Sequence, residues 1–419
     1  MTETEMESVE SFRLRAREWL ADNMPKGMAL RGMFRTFDTE EEELAFLTEQ
    51  RALQRKYYEA GFAGIVFPEE YGGQGLTPAH QRAFNEEVTG YEFPGLLQVP
   101  TFVPCAAVLL EFGTEEQKKR HLPAMMRGDE IWMQFLSEPS GGSDVAGALT
   151  TAVRDGDEWV VNGSKIWTTG AWFSDYGLAL VRTNWDVPKH RGLSVFILKI
   201  HQPGIEVHRI EMINGSKEFC QEFLTDVRVP DSDRVGEVDD GWTVGTRWMF
   251  HERNAMGGGS PYLSGPRMRI EGAGRDHLVE LARARGKLED SRTRDLIGEA
   301  RVLSRAGTEL SRRIVEGMAT GAFPDTTAAI ARLMSSVVAV RSNTISLELS
   351  GSGAAAAAPG DEWGGAGMSF LVRQTACIGG GTTEMARNNV SERVLGMPRE
   401  MTHDRNMPFR DVPKGPPGN

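Results

Sequence analysis

The sequence predicts an α+β protein of several lobes, helical at both ends with a small β-barrel or sandwich domain between them. Apolar residues recur at helical spacing up to about residue 128, alternate from about 131 to 237, and return to helical spacing from Trp242 to about Leu395. The length of 419 residues also exceeds what one core usually fills. The order helical, β, helical gives lobes at 1–130, 131–240 and 241–400, with a loose tail at 401–419.

In the first zone Leu14, Ala16, Trp19 and Leu20 mark one helical stripe, and Leu44, Leu47, Leu53, Tyr57 and Ala60 a second, ending at Gly61 where a left-handed cap is expected. Thr114 and Gln117 have capping-box spacing ahead of a further helix. In the second zone the turn Asp155-Gly156-Asp157 precedes a strand at 158–161. Asn162-Gly163 then separates that strand from Lys165-Ile166-Trp167, which predicts a hairpin. Further strands are expected at 176–182, 193–200, 205–210 and 222–229. In the third zone 278–285 and 296–314 read as helices, and Ala354 to Ala358, between Gly353 and Pro359, as a loop with helical tendency. Four prolines and two glycines from Met407 onward predict the loose tail. No repeat of 20 to 50 residues is visible, which argues against a solenoid.

Bulk chemistry narrows the function. The net charge is −12, and without a long Lys/Arg block the chain lacks the positive field that nucleic acid requires. Cys105, Cys220 and Cys377 match neither a disulfide framework nor a zinc spacing, so reduced thiols of a cytoplasmic protein are expected. The opening MTETEMESVE has no apolar secretory region, and no uninterrupted apolar run reaches the ~18–20 residues of a membrane span.

The stretch CIGGGTTE, Cys377 to Glu384, fits two readings. It is either a ligand loop or a glycine cap followed by a capped helix. Ser137 to Asp144, written SEPSGGSD, is similarly either a strand-to-loop transition or a small-residue loop that admits a pyrophosphate.

Five ordered motifs bear on that choice. These are Gly61-Phe62-Ala63-Gly64 with Pro68 to Leu76; Glu111-Phe112-Gly113-Thr114 leading to Leu122-Pro123; Ser137 to Asp144; Asn162 to Thr169; and Glu392-Arg393-Val394-Leu395-Gly396. Together, over roughly residues 12–399, they resemble the acyl-CoA dehydrogenase family, and their joint spacing is far more specific than any one of them. The resemblance implies FAD against the β domain and an acyl-CoA thioester on the flavin's other face. Carried over by position, Gln134, Leu136 and Ser137 touch the ring, with Gln134 replacing a more usual aromatic. Gly142 and Ser143 fall at the pyrophosphate and at the mouth of the CoA site. Trp167 and Thr169 lie beside the ring, and Thr382 and Glu384 contact the cofactor from the loop.

Desaturation needs a carboxylate to take the α-proton while a hydride leaves Cβ. Many members carry that carboxylate just before the Gly-Thr of the C-terminal loop. Here the position is Gly380, whose backbone N–H can still serve the thioester carbonyl. A subset places the base before an Arg early in the C-terminal lobe, and here that pair is Glu252-Arg253. The resemblance therefore implies Glu252 as base and Arg253 as a contact to CoA phosphates or to the loop, with His251 a structural neighbour. It also implies an electron-transferring flavoprotein as oxidant. The usual cross-subunit flavin contacts are reduced to Arg285, and Leu347 stands where a Gln is common. Two arrangements follow: a homotetramer with altered adenine contacts, or a heterotetramer with a related chain, as in members that act on steroid-side-chain thioesters. Rival readings are an oxidase or monooxygenase on the same fold and a non-catalytic partner subunit.

Overall fold

The computed structural model describes residues 6–27, 36–256, 260–265, 275–356, 364–402 and 404–413. Helix Val9–Asn23 begins at Ser8, whose Oγ accepts from the Ser11 N–H at 3.2 Å. Its buried row is Phe12, Ala16 and Leu20, one residue per turn, while Leu14 is 46% exposed. Two residues turn a helix by ~200°, so Leu14 cannot share that face, which corrects the expected stripe. Helix Glu40–Glu59 is capped by Thr39 and followed by Gly61 at φ 77°. Its Leu47 and Tyr57 are buried as expected, but Leu44 is exposed and Phe46 takes its place. Thr114 and Gln117 form both halves of the capping box that opens helix Glu115–Arg127.

The middle of the chain makes an eight-stranded sheet: β1 (Trp132–Phe135), β2 (Thr151–Asp155), β3 (Glu158–Thr169), β4 (Tyr176–Arg182), β5 (Leu193–Lys199), β6 (Ile205–Ile210), β7 (Phe219–Pro230) and β8 (Arg234–Val235). The main path runs β6-β7-β3-β2-β4-β5-β8, and β1 lies parallel to the first half of β4. The hairpin expected at Asn162-Gly163 is instead a bulge within one long strand, where the β3–β7 register shifts between Val161 and Gly163. The only turn here is at 156–157, joining β2 to β3. Gly163 has φ 150°, and a Cβ there would sit 2.7 Å from the Thr150 Cα, so this crossing admits only glycine.

Helices Arg275–Ala284, Ser291–Ala319 and Ala328–Ser350 pack through Leu278, Leu281, Leu296, Ile345 and Leu349. Residues 352–356 are helical, and 357 and 358 of the alanine run lie outside the described residues. The lobes are not independent. One buried cluster contains Leu122 from the first zone, Leu178 and Leu180 from β4, and Trp248 from helix Gly241–Met256.

One further expectation holds and another is narrowed. The stretch Gly95–Phe112 is 18 residues long and apolar enough to meet a membrane-span criterion, but it is 69% buried. It is broken into a helix, a wholly buried π-helical turn containing Pro104, and a second helix. It is a core element. Of the expected loose tail, 403 and 414–419 lie outside the described residues, and the described part is anchored: Phe409 is 3% exposed and stacks on Trp185 at 5.4 Å, and its N–H donates to the Val187 carbonyl at 2.9 Å.

Candidate active site

Glu252 stands on helix Gly241–Met256, which is fixed from two sides. Arg247 makes a bidentate pair with Glu111 at 2.8 and 2.7 Å, and His251 Nε2 lies 2.8 Å from the same carboxylate. One residue round the helix, the buried Trp248 donates its indole N–H to Gln134 Oε1 at 2.6 Å. Trp248 and Glu252 are four apart and so share a face. His251 is thus part of the helix's mounting, as its neighbouring position implied.

The Glu252 side chain is half-buried and makes no hydrogen bond to any described residue. Burial pushes its carboxyl up from the usual range, while Arg253 and Arg332 pull it back. The buried Cys105 thiol lies within electrostatic reach of it and is itself pushed well up by burial first and by Glu252 second. The result is a carboxyl poised to accept a proton, with no structural ion-pair partner holding it.

Opposite this helix runs the glycine stretch. Gly380 and Gly381 have φ of 70° and 105°, so both need glycine. Among the described residues the Gly380 N–H has no backbone acceptor, and a Cβ at Gly381 would lie 4.0 Å from Arg253 Nε. Thr382 Oγ1 caps helix Thr383–Asn389 by accepting from the Met385 N–H at 3.1 Å. Glu384 is exposed in the first turn, held below the usual carboxylate range by backbone and Thr383 donors and then by Arg387. The segment is a capped helix start, and among the described residues its Gly380 N–H has no backbone acceptor.

The β domain supplies a second surface. β3 bulges between Ile166 and Thr168, and Trp167 sits there at φ 66° with its ring 53% exposed. Positive-φ backbone is costly for a residue as bulky as Trp. Thr169 ends the same strand. Leu136 and Ser137 follow β1, and their carbonyls accept from Lys165 Nζ at 3.3 Å and the Ile166 N–H at 3.0 Å. In the adjoining loop Gly142 is exposed, and a Cβ on it would meet Ser137 Oγ at 3.2 Å; Ser143 beside it is exposed too.

That loop is clamped from below. Lys165 Nζ meets Glu138 Oε1 at 2.8 Å in full burial, and Glu138 also accepts the N–H groups of Leu149 and Thr150 at 2.6 and 3.0 Å. Burial would raise the Glu138 carboxyl, but Lys165 and those donors outweigh it and hold the carboxyl low.

Comparison with known proteins gives the family. Models described as acyl-CoA dehydrogenase, N-terminal domain and acyl-CoA dehydrogenase, middle domain match residues 7–129 and 134–227. The acyl-CoA dehydrogenase IpdE1 of Mycobacterium tuberculosis is 33% identical over 94% of this chain and 99% of its own. The chain belongs to the acyl-CoA dehydrogenase family.

Among solved structures, the Tcur3481-Tcur3483 steroid ACAD matches with a TM-score of 0.74 at 26% identity, covering 96% of this chain and 100% of that one. The ChsE4-ChsE5 complex from Mycobacterium tuberculosis matches with a TM-score of 0.71 at 25% identity, covering 96% and 100%. As an acyl-CoA dehydrogenase the chain is an FAD-dependent oxidoreductase.

The residues present fit that cofactor. The outward Trp167 ring can flank an isoalloxazine, the small-residue loop at Gly142 and Ser143 lets backbone approach a pyrophosphate, and Thr169 lies at the strand end beside Trp167. Gln134 differs from expectation in one respect: its side-chain oxygen is turned to Trp248. Arg285 stands apart, its guanidinium 2.9 Å from where a Gly351 Cβ would be. Gly351 follows the C-terminal end of helix Ala328–Ser350, roughly 28 Å along the helix from Arg332 at ~1.5 Å per residue.

Neither Trp248 nor Arg332 is singled out in the sequence, and Glu111, though part of the Glu111-Phe112-Gly113-Thr114 motif, carries no assigned role there. Trp248 carried a detectable signal, being an aromatic one turn before a candidate base, whereas Arg332 lies 80 residues from Glu252 with no motif around it.

Proposed function

We propose that this acyl-CoA dehydrogenase introduces a double bond between Cα and Cβ of an acyl thioester, with Glu252 as the base. The single observation that carries this reading is the half-buried Glu252 carboxyl, raised by burial and free of hydrogen bonds among the described residues, on a helix whose Arg253 lies against Gly381. Glu252 takes the proton from Cα, and the electron pair of that C–H bond forms the new double bond as a hydride leaves Cβ. FAD, when bound, accepts that hydride at N5. The Gly380 N–H donates to the thioester oxygen and so stabilises the charge that builds there as the α-proton departs. Arg253, exposed at the helix surface beside Gly381, takes the CoA phosphates or steadies the loop. Trp167 and Thr169 orient the ring, and the clamped loop at Ser137, Gly142 and Ser143 holds the pyrophosphate.

A bulky, steroid-linked acyl-CoA is the substrate class this reading favours, supported by the steroid ACAD match over nearly the whole of both chains. The same match, and the ChsE4-ChsE5 complex, support a hetero-oligomer in which a related chain completes the flavin pocket near Arg285. An electron-transferring flavoprotein reoxidises the cofactor in the cytoplasm.

The test is the visible spectrum of the chain purified alone and with a co-expressed related chain, before and after anaerobic addition of linear, branched and steroid-linked acyl-CoAs. Bleaching by the steroid-linked thioester supports the assignment. Bleaching by short linear thioesters alone overturns the substrate class, and full flavin occupancy of the single chain overturns the hetero-oligomer.

A further inference from the structure

Arg332, on the first turns of helix Ala328–Ser350, has no place in the chemistry so far. Its guanidinium donates to the Ala376 carbonyl at 2.8 Å and to the Gly379 carbonyl at 2.6 Å, and also to Ser336 Oγ. Ser336 Oγ in turn donates to the same Ala376 carbonyl at 2.8 Å. The glycine loop is therefore gripped at its start and at Gly379 by one rigid fork, a geometry that Lys cannot reproduce.

The Gly379 carbonyl and the Gly380 N–H belong to one peptide unit. That unit is planar and trans, as no cis bond occurs among the described residues, so the N–H points opposite to the carbonyl. Fixing the oxygen therefore fixes the direction of the hydrogen. A cation donating to the carbonyl also polarises the amide and makes its N–H a stronger donor. Because both Gly380 and Gly381 have positive φ, the peptide could otherwise swing at little steric cost. Arg332 Nε is buried without a partner among the described residues, so its head is committed to these carbonyls rather than to a carboxylate salt bridge.

We propose that Arg332 is the positioning residue for the thioester: through the Gly379–Gly380 peptide it aims and polarises the N–H that receives the thioester oxygen, on the side of the site where Glu252 stands. This rests on the reading of Gly380 as donor and Glu252 as base. Arg332 touches neither substrate nor flavin; it acts through one peptide plane.

The experiment uses holoenzyme carrying Arg332→Gln or Arg332→Lys, the second retaining charge and fold but not the two-pronged grip. Three quantities are read: the rate of flavin reduction by the fastest-reducing acyl-CoA, the dissociation constant of its trans-2-enoyl-CoA product, and the Raman carbonyl band of that bound product. Amide hydrogen exchange over residues 376–384 is followed without ligand.

The expected result is a fall in reduction rate of about tenfold or more, approaching the ~10²-fold typical of a lost oxyanion donor. The carbonyl band should move toward its free-solution position, the loop amides should exchange faster, and product affinity should change far less. A reduction rate within twofold of wild type in Arg332→Gln, with the carbonyl band unmoved, overturns the proposal. If the band is already at its solution position in the wild type, the Gly380 reading fails and the proposal falls with it. If Glu252→Gln still reduces flavin normally, the base reading fails alone, and the band in the Arg332 variants still decides the role of Arg332.

Discussion

The indole N–H of Trp248 donates to Gln134 Oε1 at 2.6 Å, tying β1 to the helix that carries Glu252 one turn further on. The helix that carries Glu252 is therefore indexed to β1 by a side-chain hydrogen bond in the common core. Gln134→Leu leaves a buried indole N–H unpaired, at a cost of about 1–3 kcal/mol. Trp248→Phe leaves the amide oxygen unpaired instead. The double variant should be less destabilised than the sum of the singles, as a double-mutant cycle of urea unfolding would show. Strict additivity would mean the bond contributes nothing.

Glu252→Gln should lower the rate of flavin reduction by about 10²–10⁴-fold while leaving acyl-CoA binding largely intact. Stopped-flow bleaching and equilibrium titration separate the two effects. A near-normal rate would remove Glu252 from its assigned role.

The pH dependence of reduction has a defined sign. Glu252 works as its carboxylate, and burial lifts its pKa above the ordinary 4.5, so the rate should rise with pH through that raised value. The groups that face it are Arg253, Arg332 and the Cys105 thiol, the last neutral in this range. Arg253→Met removes one of the two cations that pull the pKa down, so the rising limb should move to higher pH. A shift to lower pH would contradict the assignment.

Glu222, buried on β7 with Oε2 accepting from Thr168 Oγ1 at 3.0 Å, has its carboxyl raised by burial to about 8, and Oε1 lacks a partner among the described residues. A raised folded pKa means that its contribution is fully present below the unfolded value of 4.5 and is lost as pH rises toward about 8. Glu222→Gln should therefore raise the melting temperature more at pH 8 than at pH 5. Equal shifts at both pH values would show that Glu222 is ionised in the fold.

Phe409→Ala removes a ring that is 3% exposed, stacks on Trp185 and lies 4.0 Å from the Arg182 guanidinium. Phe-to-Ala changes at buried sites cost about 3–5 kcal/mol. Here urea unfolding should show a loss toward the lower end of that range, since the ring caps the edge of the core. A loss below ~0.5 kcal/mol would mean the segment is loose after all.

The legible part of the fold was whatever short-range pattern encodes. β6 falls where expected because a strand with one exposed face alternates, whereas β4, also where expected, is buried on both faces and reads as a short, nearly continuous apolar run. Asn162-Gly163 misled because the same pair that makes a tight turn also makes a bulge, and only the Thr150 backbone pressed against Gly163 decides between them. Leu14 misled because nearness in sequence is not a shared face. In the proposed site, the Trp167-x-Thr169 pair stands in one of the ordered motifs, and Glu252 is reached only through the family subset that the Glu252-Arg253 pair resembles. Arg332, Trp248 and Gln134 meet only by folding: Arg332 reaches carbonyls 44 and 47 residues away, and Gln134 and Trp248 are 114 apart. No local window contains either relation.

Arg182 connects the segment at Phe409 to the backbone that follows the small-residue loop. Its guanidinium donates to the carbonyls of Ala146 at 2.6 Å and Ala148 at 3.3 Å, just past the small-residue loop, and Phe409 covers its outer side. Through that single guanidinium, a ring far along the chain bears on the backbone just past the small-residue loop, so a change at Phe409 should be felt at residues 146–148 without touching them.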